Sequence, residues 1–280
     1  MPEGPEIRRA ADKISAILQD QVIDRVWFGL PELKLFEDKL SGARLIEVET
    51  RGKAMLNHFD NGLSIYSHNQ LYGRWYCLDK GEMPDTSRQL RLRLETASKA
   101  ALLFSASDIA VLTKTEQESH PLLSRLGPDI LSDSLDAETI AKRLLGKRFR
   151  NRQLATLLTD QSFLAGLGNY LRCEILFTAS LHPGIKPSQC TDRQLEDIAG
   201  AIEELPRQSY ETGGITNQLS LAKRLISDGS SFESARFKVY RREGLSCYRC
   251  GEKIIKLVSG SQGCYLCPEC QMKRDVQFIW

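Results

Sequence analysis

The chain begins with Met1-Pro2-Glu3-Gly4-Pro5-Glu6, and apolar residues then recur at helical spacing as Ile7, Ala10, Ala11, Ile14, Ile17 and Leu18. This pattern predicts an amphipathic helix with Pro5 in its first turn and two carboxylates at its positive end. Removal of the initiator methionine would make Pro2 the terminus. An α-amino group has a reference pKa of about 8, against about 10.4 for lysine, so roughly a tenth of it is unprotonated at neutral pH. The sequence thus indicates a nucleophile beside Glu3 and Glu6, which can transfer protons.

Length and composition limit the class of protein. A chain of 280 residues predicts two domains and an accessory module. A hydrophobic content of 41% and a charged content of 26% are typical of a soluble globular protein. The sequence contains neither an apolar run of 18 residues nor a basic-then-apolar leader, so we expect a cytoplasmic protein without a membrane partner.

The cysteines are concentrated near the C-terminus, where five of the eight fall in the last 34 residues. Two Cys-x2-Cys pairs separated by sixteen residues have zinc-ribbon spacing: Cys247, Cys250, Cys267 and Cys270. Four thiolates leave no open position for water, so we expect one structural zinc ion on a hairpin of about residues 254–266. Cys264 could replace Cys270 as the fourth ligand, and disulfides are the alternative that a cytosolic location disfavours.

The rest of the chain shows two kinds of pattern. From Val22 to about Phe104, alternating and short apolar segments predict an antiparallel sandwich of about eight strands. From Ala137 to about Pro206 the spacing is helical, and a helix of about residues 152–162 leads into Gly166-Leu167-Gly168-Asn169. We therefore predict an α+β multidomain fold, with Asn169 capping a helix and forming a phosphate site with Arg172.

Net charge is only +2, but basic residues cluster in two places. Six basic residues and no acid lie between Lys142 and Arg152, and four more lie between Arg236 and Arg242. Solvated helix faces would explain either cluster alone. Together with the candidate phosphate site and the cysteine knuckles, the two clusters favour a nucleic-acid partner.

These features together resemble the formamidopyrimidine-DNA glycosylase and endonuclease VIII family of base-excision repair enzymes, especially its endonuclease VIII branch. The resemblance spans nearly the whole chain, and it rests on four separated motifs: the residue 1–10 opening, Thr50-Arg51-Gly52-Lys53, Tyr66-Ser67-His68-Asn69-Gln70-Leu71-Tyr72-Gly73, and Gly168-Asn169 with the cysteine finger. It implies domains at 1–124 (helix and sandwich), 137–235 (helix–two-turn–helix) and 236–271 (zinc finger), with a linker at 125–136 and an extension at 272–280.

The resemblance also implies a chemistry. Pro2 would attack the sugar of a damaged nucleotide and form a Schiff base, with Glu3, Glu6 and Lys53 as the other catalytic residues. The expected activity is a bifunctional glycosylase and abasic-site lyase acting on oxidised pyrimidines in double-stranded DNA. We expect a monomer that associates with the nucleoid when it is on DNA.

The implied DNA contacts complete this interpretation. Gln70, Leu71 and Tyr72 resemble the wedge that fills the space left by an everted nucleotide. Arg125 and Asn169 match positions that contact DNA phosphates.

One position departs from the family pattern. The finger arginine expected near the hairpin tip is replaced by Gln262, and residues 257–266 contain no lysine or arginine. Without this charge we expect base removal and the first (β) elimination of phosphate to survive and the second (δ) elimination to be impaired. Two other interpretations stay open: a glycosylase for oxidised purines, and a non-catalytic zinc-finger protein that only binds DNA.

Overall fold

A computed structural model describes residues 2–259 and 262–272, and its contacts divide the chain into two units, Met1–Leu126 and Gly127–Trp280. The first unit begins with helix α1 (Gly4–Leu18). Glu3 is its N-cap and forms a capping box with Glu6, and a proline lies in the first turn. Ile7, Ala11, Ile14 and Leu18 are buried, as the helical spacing predicts.

The first unit is an antiparallel β-sandwich, as predicted. Its strands are β1 (Arg25–Phe28), β2 (Leu45–Arg51), β3 (Ala54–Phe59), β4 (Ser64–His68), β5 (Arg74–Asp79), β6 (Leu90–Glu95), β7 (Lys99–Phe104) and β8 (Asp108–Leu112). They form two four-stranded sheets, ordered β1-β6-β7-β5 and β2-β3-β4-β8. Short helices α2 (Glu37–Leu40) and α3 (Lys114–Ser119) and 3-10 turns at Pro31–Phe36 and Leu123–Arg125 complete the unit.

The core of this unit explains the sequence pattern. In β6, Leu92 and Leu94 are fully buried, whereas Arg93 between them points away and pairs with Glu95 at 3.0 Å. The α1 stripe packs into the same apolar cluster as these leucines. Helix α1 is therefore fixed against the sandwich by its buried face, which also fixes the residues at its N-terminus.

A charged network lies on β2 to β4. Glu49 accepts hydrogen bonds from Arg51 at 2.7 and 3.1 Å and contacts His58 Nε2 at 2.9 Å. His58 Nδ1 lies 2.7 Å from Ser64 Oγ. Burial raises the pKa of Glu49, but the hydrogen bonds and charges of His58 and Arg51 outweigh it and lower that pKa to about 2.

This lowered pKa predicts an acid-dependent stability. A carboxyl whose folded pKa lies below its unfolded value of 4.5 stabilises the fold above that value, and the contribution is lost as pH falls toward about 2. Allowing for solvent screening at this partly exposed site, we expect Glu49→Gln to lower the free energy of unfolding by about 2 kcal/mol at pH 7 and by much less at pH 2. Urea unfolding at both pH values measures this, with Glu47→Gln as control. An equal loss at both pH values would contradict it.

The second unit is mainly helical and ends in a hairpin. Its helices are α4 (Ala137–Leu144), α5 (Leu154–Leu157), α6 (Asn169–Thr178), α7 (Asp192–Glu211), α8 (Leu219–Ser227) and α9 (Phe232–Ala235), with a 3-10 turn at Pro187–Gln189. Strands β9 (Ile255–Ser259) and β10 (Gln262–Leu266) form the hairpin. Helix α6 is buried almost all round, from Tyr170 to Phe177.

Three local predictions differ from the structure. The helix expected at residues 152–162 is only the single turn of α5, because Asp160 side-chain and backbone contacts hold the following residues in turns. Residues 145–152, which lie in the segment of predicted helical spacing, form turns. Within the expected linker, Ile130 and Leu135 are buried in the core of the second unit.

Candidate active site and nucleic-acid interface

The residues predicted to be catalytic meet at the N-terminus of α1. Pro2 is partly exposed, whereas Glu3 is only 2% exposed. Glu6 accepts a hydrogen bond from Glu3 N at 3.0 Å and pairs with Arg9 at 3.2 Å. The capping box therefore fixes both carboxylates at the start of α1, directly after Pro2 in the chain.

Lys53 comes to the same place from the sandwich. It follows Gly52, whose φ of 62° at the first position of a two-residue β2–β3 turn is the pattern of a type II′ hairpin. Burial lowers the pKa of Lys53, while the charges of Glu3 and Glu6 act in the opposite direction. The structure thus brings together Lys53 and the two carboxylates, which are far apart in sequence.

A short loop presents the predicted wedge. Gly73 N donates to Asn69 O at 2.7 Å and closes the loop, and a Cβ at Gly73 would lie 2.6 Å from that oxygen. Leu71 and Tyr72 are 58% and 68% exposed at its tip, which is unusual for large apolar side chains. Gln70 has a φ of 48° and accepts from Ser107 Oγ at 3.1 Å. The loop is therefore built to hold two apolar side chains in solvent.

His68 supports this loop and was not predicted. Its Nδ1 accepts a hydrogen bond from Gln70 N at 3.1 Å. Burial lowers the pKa of His68, as does the positive charge of Lys53, while Asp108 raises it. His68 therefore accepts a hydrogen bond from the loop that carries the predicted wedge, and its imidazole also lies within the electrostatic influence of Lys53.

Arg125 lies at the end of the first unit. It is exposed in the Leu123–Arg125 turn, and its Nε donates to Pro121 O at 2.7 Å. Among the residues that the structure describes, no further hydrogen bond of its guanidinium group is found.

Asn169 and Arg172 differ in position from the prediction. Gly168, not Asn169, is the N-cap of α6. Asn169 Nδ2 donates to Gly263 O at 3.1 Å, and Asn169 Oδ1 accepts from Arg172. Arg172 is 2% exposed and also donates to Ala155 O at 3.1 Å and Gly263 O at 3.3 Å. A buried guanidinium bonded to carbonyls positions the hairpin, so the predicted phosphate contact of Arg172 is not supported.

The two basic clusters are also only partly free. Arg143 donates to Phe163 O at 2.6 Å, and Arg152 pairs with Asp160. In the second cluster, Arg242 is 5% exposed and Lys238 Nζ donates to Thr178 Oγ1 at 2.7 Å. Several of these charges therefore stabilise the second unit, and the count of basic residues overstated the surface that could bind DNA.

A buried carboxylate that the sequence did not single out organises this unit. Glu174 on α6 is fully buried and accepts hydrogen bonds from Thr216 Oγ1 and from the backbone N–H groups of residues 238, 239 and 240, at 2.7–3.0 Å. Its position in the middle of α6 gives no local sign of these distant partners. Glu174 thus ties the helix to the segment that leads into the cysteine knuckles.

We expect Glu174→Ala to lower the free energy of unfolding of this unit by about 3–5 kcal/mol, because it leaves buried N–H groups unpaired. Urea denaturation followed by far-UV circular dichroism measures the loss. The exposed Glu204→Gln on α7 is the matched control and should change stability by less than about 0.5 kcal/mol. A loss below about 1 kcal/mol for Glu174→Ala would mean that water replaces the carboxylate.

Four cysteines form a candidate metal centre. Their sulfur atoms all lie within 4.8 Å of one another: Cys247, Cys250, Cys267 and Cys270. Tetrahedral zinc with Zn–S bonds of about 2.3 Å requires sulfurs about 3.8 Å apart. Cys247–Cys270 and Cys250–Cys267 sulfurs are 3.9 and 3.4 Å apart, so the set fits a closed thiolate site.

Cys264, the alternative ligand, faces elsewhere. It is 1% exposed, and its sulfur lies 3.9 Å from that of Cys173 on α6. Tyr265 N donates to the same Cys173 sulfur at 3.3 Å. Cys264 therefore packs the hairpin against α6 and lies outside the four-cysteine set.

Sequence comparison identifies the family. Residues 1–107 match the formamidopyrimidine-DNA glycosylase N-terminal domain, and residues 126–220 match the formamidopyrimidine-DNA glycosylase H2TH domain. The chain belongs to the formamidopyrimidine-DNA glycosylase family. The resemblance inferred from the four motifs is confirmed.

Known relatives of this family place the chain within it. It is 50% identical to Endonuclease 8 of Enterobacter sp. strain 638 over 97% of this chain and 100% of the relative. Endonuclease 8 of Escherichia coli strain K12 / DH10B is 49% identical, with the same coverage. The α+β fold and the general class, a DNA glycosylase with abasic-site lyase activity in base-excision repair, are thereby confirmed.

Solved structures support the fold. Lactococcus lactis Fpg in complex with abasic-site DNA superposes with a TM-score of 0.79 at 19% identity, covering 97% of this chain and 100% of that one. The Lactococcus lactis Fpg complex with FAPY-dG DNA gives 0.78 at 19% identity, covering 96% and 99%. Among the described residues of this chain, no helix has the length and hydropathy to cross a membrane.

Proposed function

We propose that this chain removes oxidised pyrimidines from duplex DNA and nicks the strand, with the nitrogen of Pro2 as the nucleophile. The observation that carries the proposal is the convergence of Pro2, the buried Glu3 and the pKa-lowered Lys53 at the start of α1. Family membership gives the class of reaction. The lesion and the role of each residue are our inference.

The chemistry follows from these positions. With Met1 removed, the Pro2 nitrogen forms a bond to C1′ of the damaged nucleotide while the bond from C1′ to the base breaks. Glu3 donates a proton as the sugar ring opens, and the product is an iminium between Pro2 and C1′. Loss of a C2′ proton then expels the 3′ phosphate, and hydrolysis of the iminium releases the enzyme.

Lys53 and Glu6 assist these transfers. A lysine whose pKa is lowered by burial exchanges protons closer to neutral pH than an exposed lysine does. Glu6 supports the capping box that holds Glu3 in place. Neither residue needs to bond to the sugar.

We infer the class of damaged base from the similarity to the Endonuclease 8 relatives and from the loop that carries Leu71 and Tyr72. The Endonuclease 8 relatives are 49–50% identical to the chain, whereas the Fpg structures bound to purine-derived lesions are about 20% identical. We propose that Leu71 and Tyr72 enter the duplex when the damaged nucleotide is turned out of the stack. Their exposure on a closed loop supports this role.

We further propose that the four-cysteine centre holds one structural zinc ion. A site of four thiolates leaves no position for water, and the ion would supply folding stability rather than chemistry. Asn169 and Arg125 are proposed to contact phosphates of the duplex. A monomer suffices for this reaction, since every proposed catalytic residue lies in one unit.

Borohydride trapping on abasic-site DNA tests the central proposal. The processed chain should form a stable cross-link that peptide mapping places on Pro2. A matched chain that keeps one residue before Pro2 should give none, because its proline nitrogen is an amide. Excision from thymine glycol and 8-oxoguanine duplexes then tests the lesion class, and faster excision of 8-oxoguanine would favour the oxidised-purine interpretation.

Gln262 predicts an incomplete second elimination. It lies on β10 near the hairpin tip and carries no charge to stabilise a departing phosphate. We expect wild type to leave mainly the 3′ unsaturated aldehyde, and Gln262→Arg to raise the share of 3′ phosphate by roughly tenfold, the effect of one charge-assisted contact. End-group analysis of the cleaved strand measures this. Predominant 3′ phosphate from wild type would refute it.

A further inference from the structure

The β9–β10 hairpin has a single cation. Lys256 is the only lysine or arginine between residues 255 and 266. It is exposed, and no ion pair with an acidic side chain is found for it among the described residues. A lone unpaired cation on a hairpin is an ordinary surface feature unless its position is specified by the structure around it.

Gly263 specifies that position. Lys256 is paired with Tyr265 across the hairpin, and Gly263, two residues before Tyr265, lies on the same face. A Cβ at Gly263 would lie 2.2 Å from Lys256 Cε and 3.1 Å from its Cδ and Cγ. Gly263 has no positive φ. The backbone therefore does not require glycine here, and the missing side chain makes room for the lysine stem.

Tyr265 lies near the ammonium group at the end of the stem. Lys256 Nζ lies 5.8 Å from the centre of the Tyr265 ring, within the range of a cation–π contact. The Tyr265 ring packs edge-on against Tyr240 at 5.4 Å. A lysine held in this way loses less conformational freedom on binding an anion than a free surface lysine does.

The hairpin itself is fixed to α6 at the same peptide. Gly263 O accepts hydrogen bonds from Asn169 and Arg172, at 3.1 and 3.3 Å, at the start of that helix. Cys264, the next residue, packs on Cys173. The Lys256 stem therefore crosses the hairpin where it is docked on the positive end of α6, and the two positive potentials add.

We infer that Lys256 is a phosphate-binding residue of this chain, through which the hairpin grips the phosphodiester backbone that neutral Gln262 cannot hold by charge. The inference rests on the proposed function, since it takes damaged duplex DNA as the ligand. Gly263 is its positioning residue, because its lack of a side chain sets the path of the lysine stem.

Salt-dependent binding tests this inference. Fluorescence anisotropy would follow the full, metal-loaded chain on a duplex with a tetrahydrofuran abasic analogue from 50 to 300 mM KCl. Lys256→Met keeps the stem and removes the charge. We expect it to weaken binding by about fivefold and to reduce the slope of log Kd against log salt by about one. Lys256→Arg should retain the slope, and Lys253→Met, a second exposed finger lysine, should leave both values unchanged.

Gly263→Ala tests the geometry separately. It displaces the lysine stem without backbone strain, so we expect it to reproduce most of the Lys256→Met effect. The double variant should be no weaker than Lys256→Met alone. An unchanged salt slope in Lys256→Met, or additive losses in the double variant, overturns the inference.

If wild type cross-links at Pro2 and binds the duplex while Lys256→Met is unaffected, this inference alone fails. If wild type does neither, the proposed function fails.

Discussion

Glu3→Gln is expected to slow base removal by at least about 100-fold, the lower range for loss of a general acid or base. Glu3 is 2% exposed and adjoins the proposed nucleophile, and its charge acts on Lys53. The variant keeps an oxygen that can accept a hydrogen bond in the capping box, so the start of α1 should survive. The loss would therefore be chemical rather than structural.

Single-turnover excision from a thymine glycol duplex measures the effect, together with the melting temperature. Glu116→Gln is the control for a capping-box carboxylate away from the site, because Glu116 is the N3 residue of the α3 capping box, as Glu6 is in α1, and accepts from Thr113 N at 2.7 Å. The control should keep full activity. A Glu3→Gln chain within about threefold of wild type would remove Glu3 from the proposed proton transfers.

Much of the fold could be predicted because its signals are local. The alternation of Leu92 and Leu94 with charged residues marks a strand with one buried face, and the buried stripe of α1 repeats at helical spacing. The candidate wedge was predicted from the family resemblance and not from residue types alone, and the contacts that support its loop were not predicted. Gly73 and His68 act through contacts with Asn69 and Gln70 that depend on the closed loop.

The errors come from partners that are distant in sequence. Arginine is usually exposed, and only the carbonyls of Ala155 and Gly263 explain why Arg172 is buried. Lys53 resembles any turn lysine until Glu3 is placed beside it. The sequence favoured Cys270 as the fourth ligand but allowed Cys264 in its place, and the contact of Cys264 with α6, outside the four-cysteine cluster, distinguishes them.

Cys270→Ser is expected to abolish stoichiometric zinc binding, whereas Cys264→Val should retain it. The first change removes one of four clustered sulfurs, and structural zinc contributes about 10–16 kcal/mol in isolated fingers at neutral pH. The second replaces a buried thiol outside the cluster with an apolar side chain of similar size. Zinc content by mass spectrometry and a metal-release assay with a thiol-reactive probe measure both. Loss of zinc in Cys264→Val would make Cys264 a ligand after all.

Cys270→Ser should weaken the binding of DNA and leave the bond-breaking steps unchanged. The proposed zinc ion would hold the hairpin whose Gly263 carbonyl is bonded to Asn169 and Arg172, so we expect Cys270→Ser to weaken abasic-duplex binding by more than about tenfold, the scale of losing several contacts. Pro2, Glu3 and Lys53 lie in the other unit and keep their contacts. At saturating protein, borohydride trapping should therefore recover toward the wild-type yield. Failure to recover would mean that the zinc finger contributes to the bond-breaking steps, since occupancy would no longer limit the reaction.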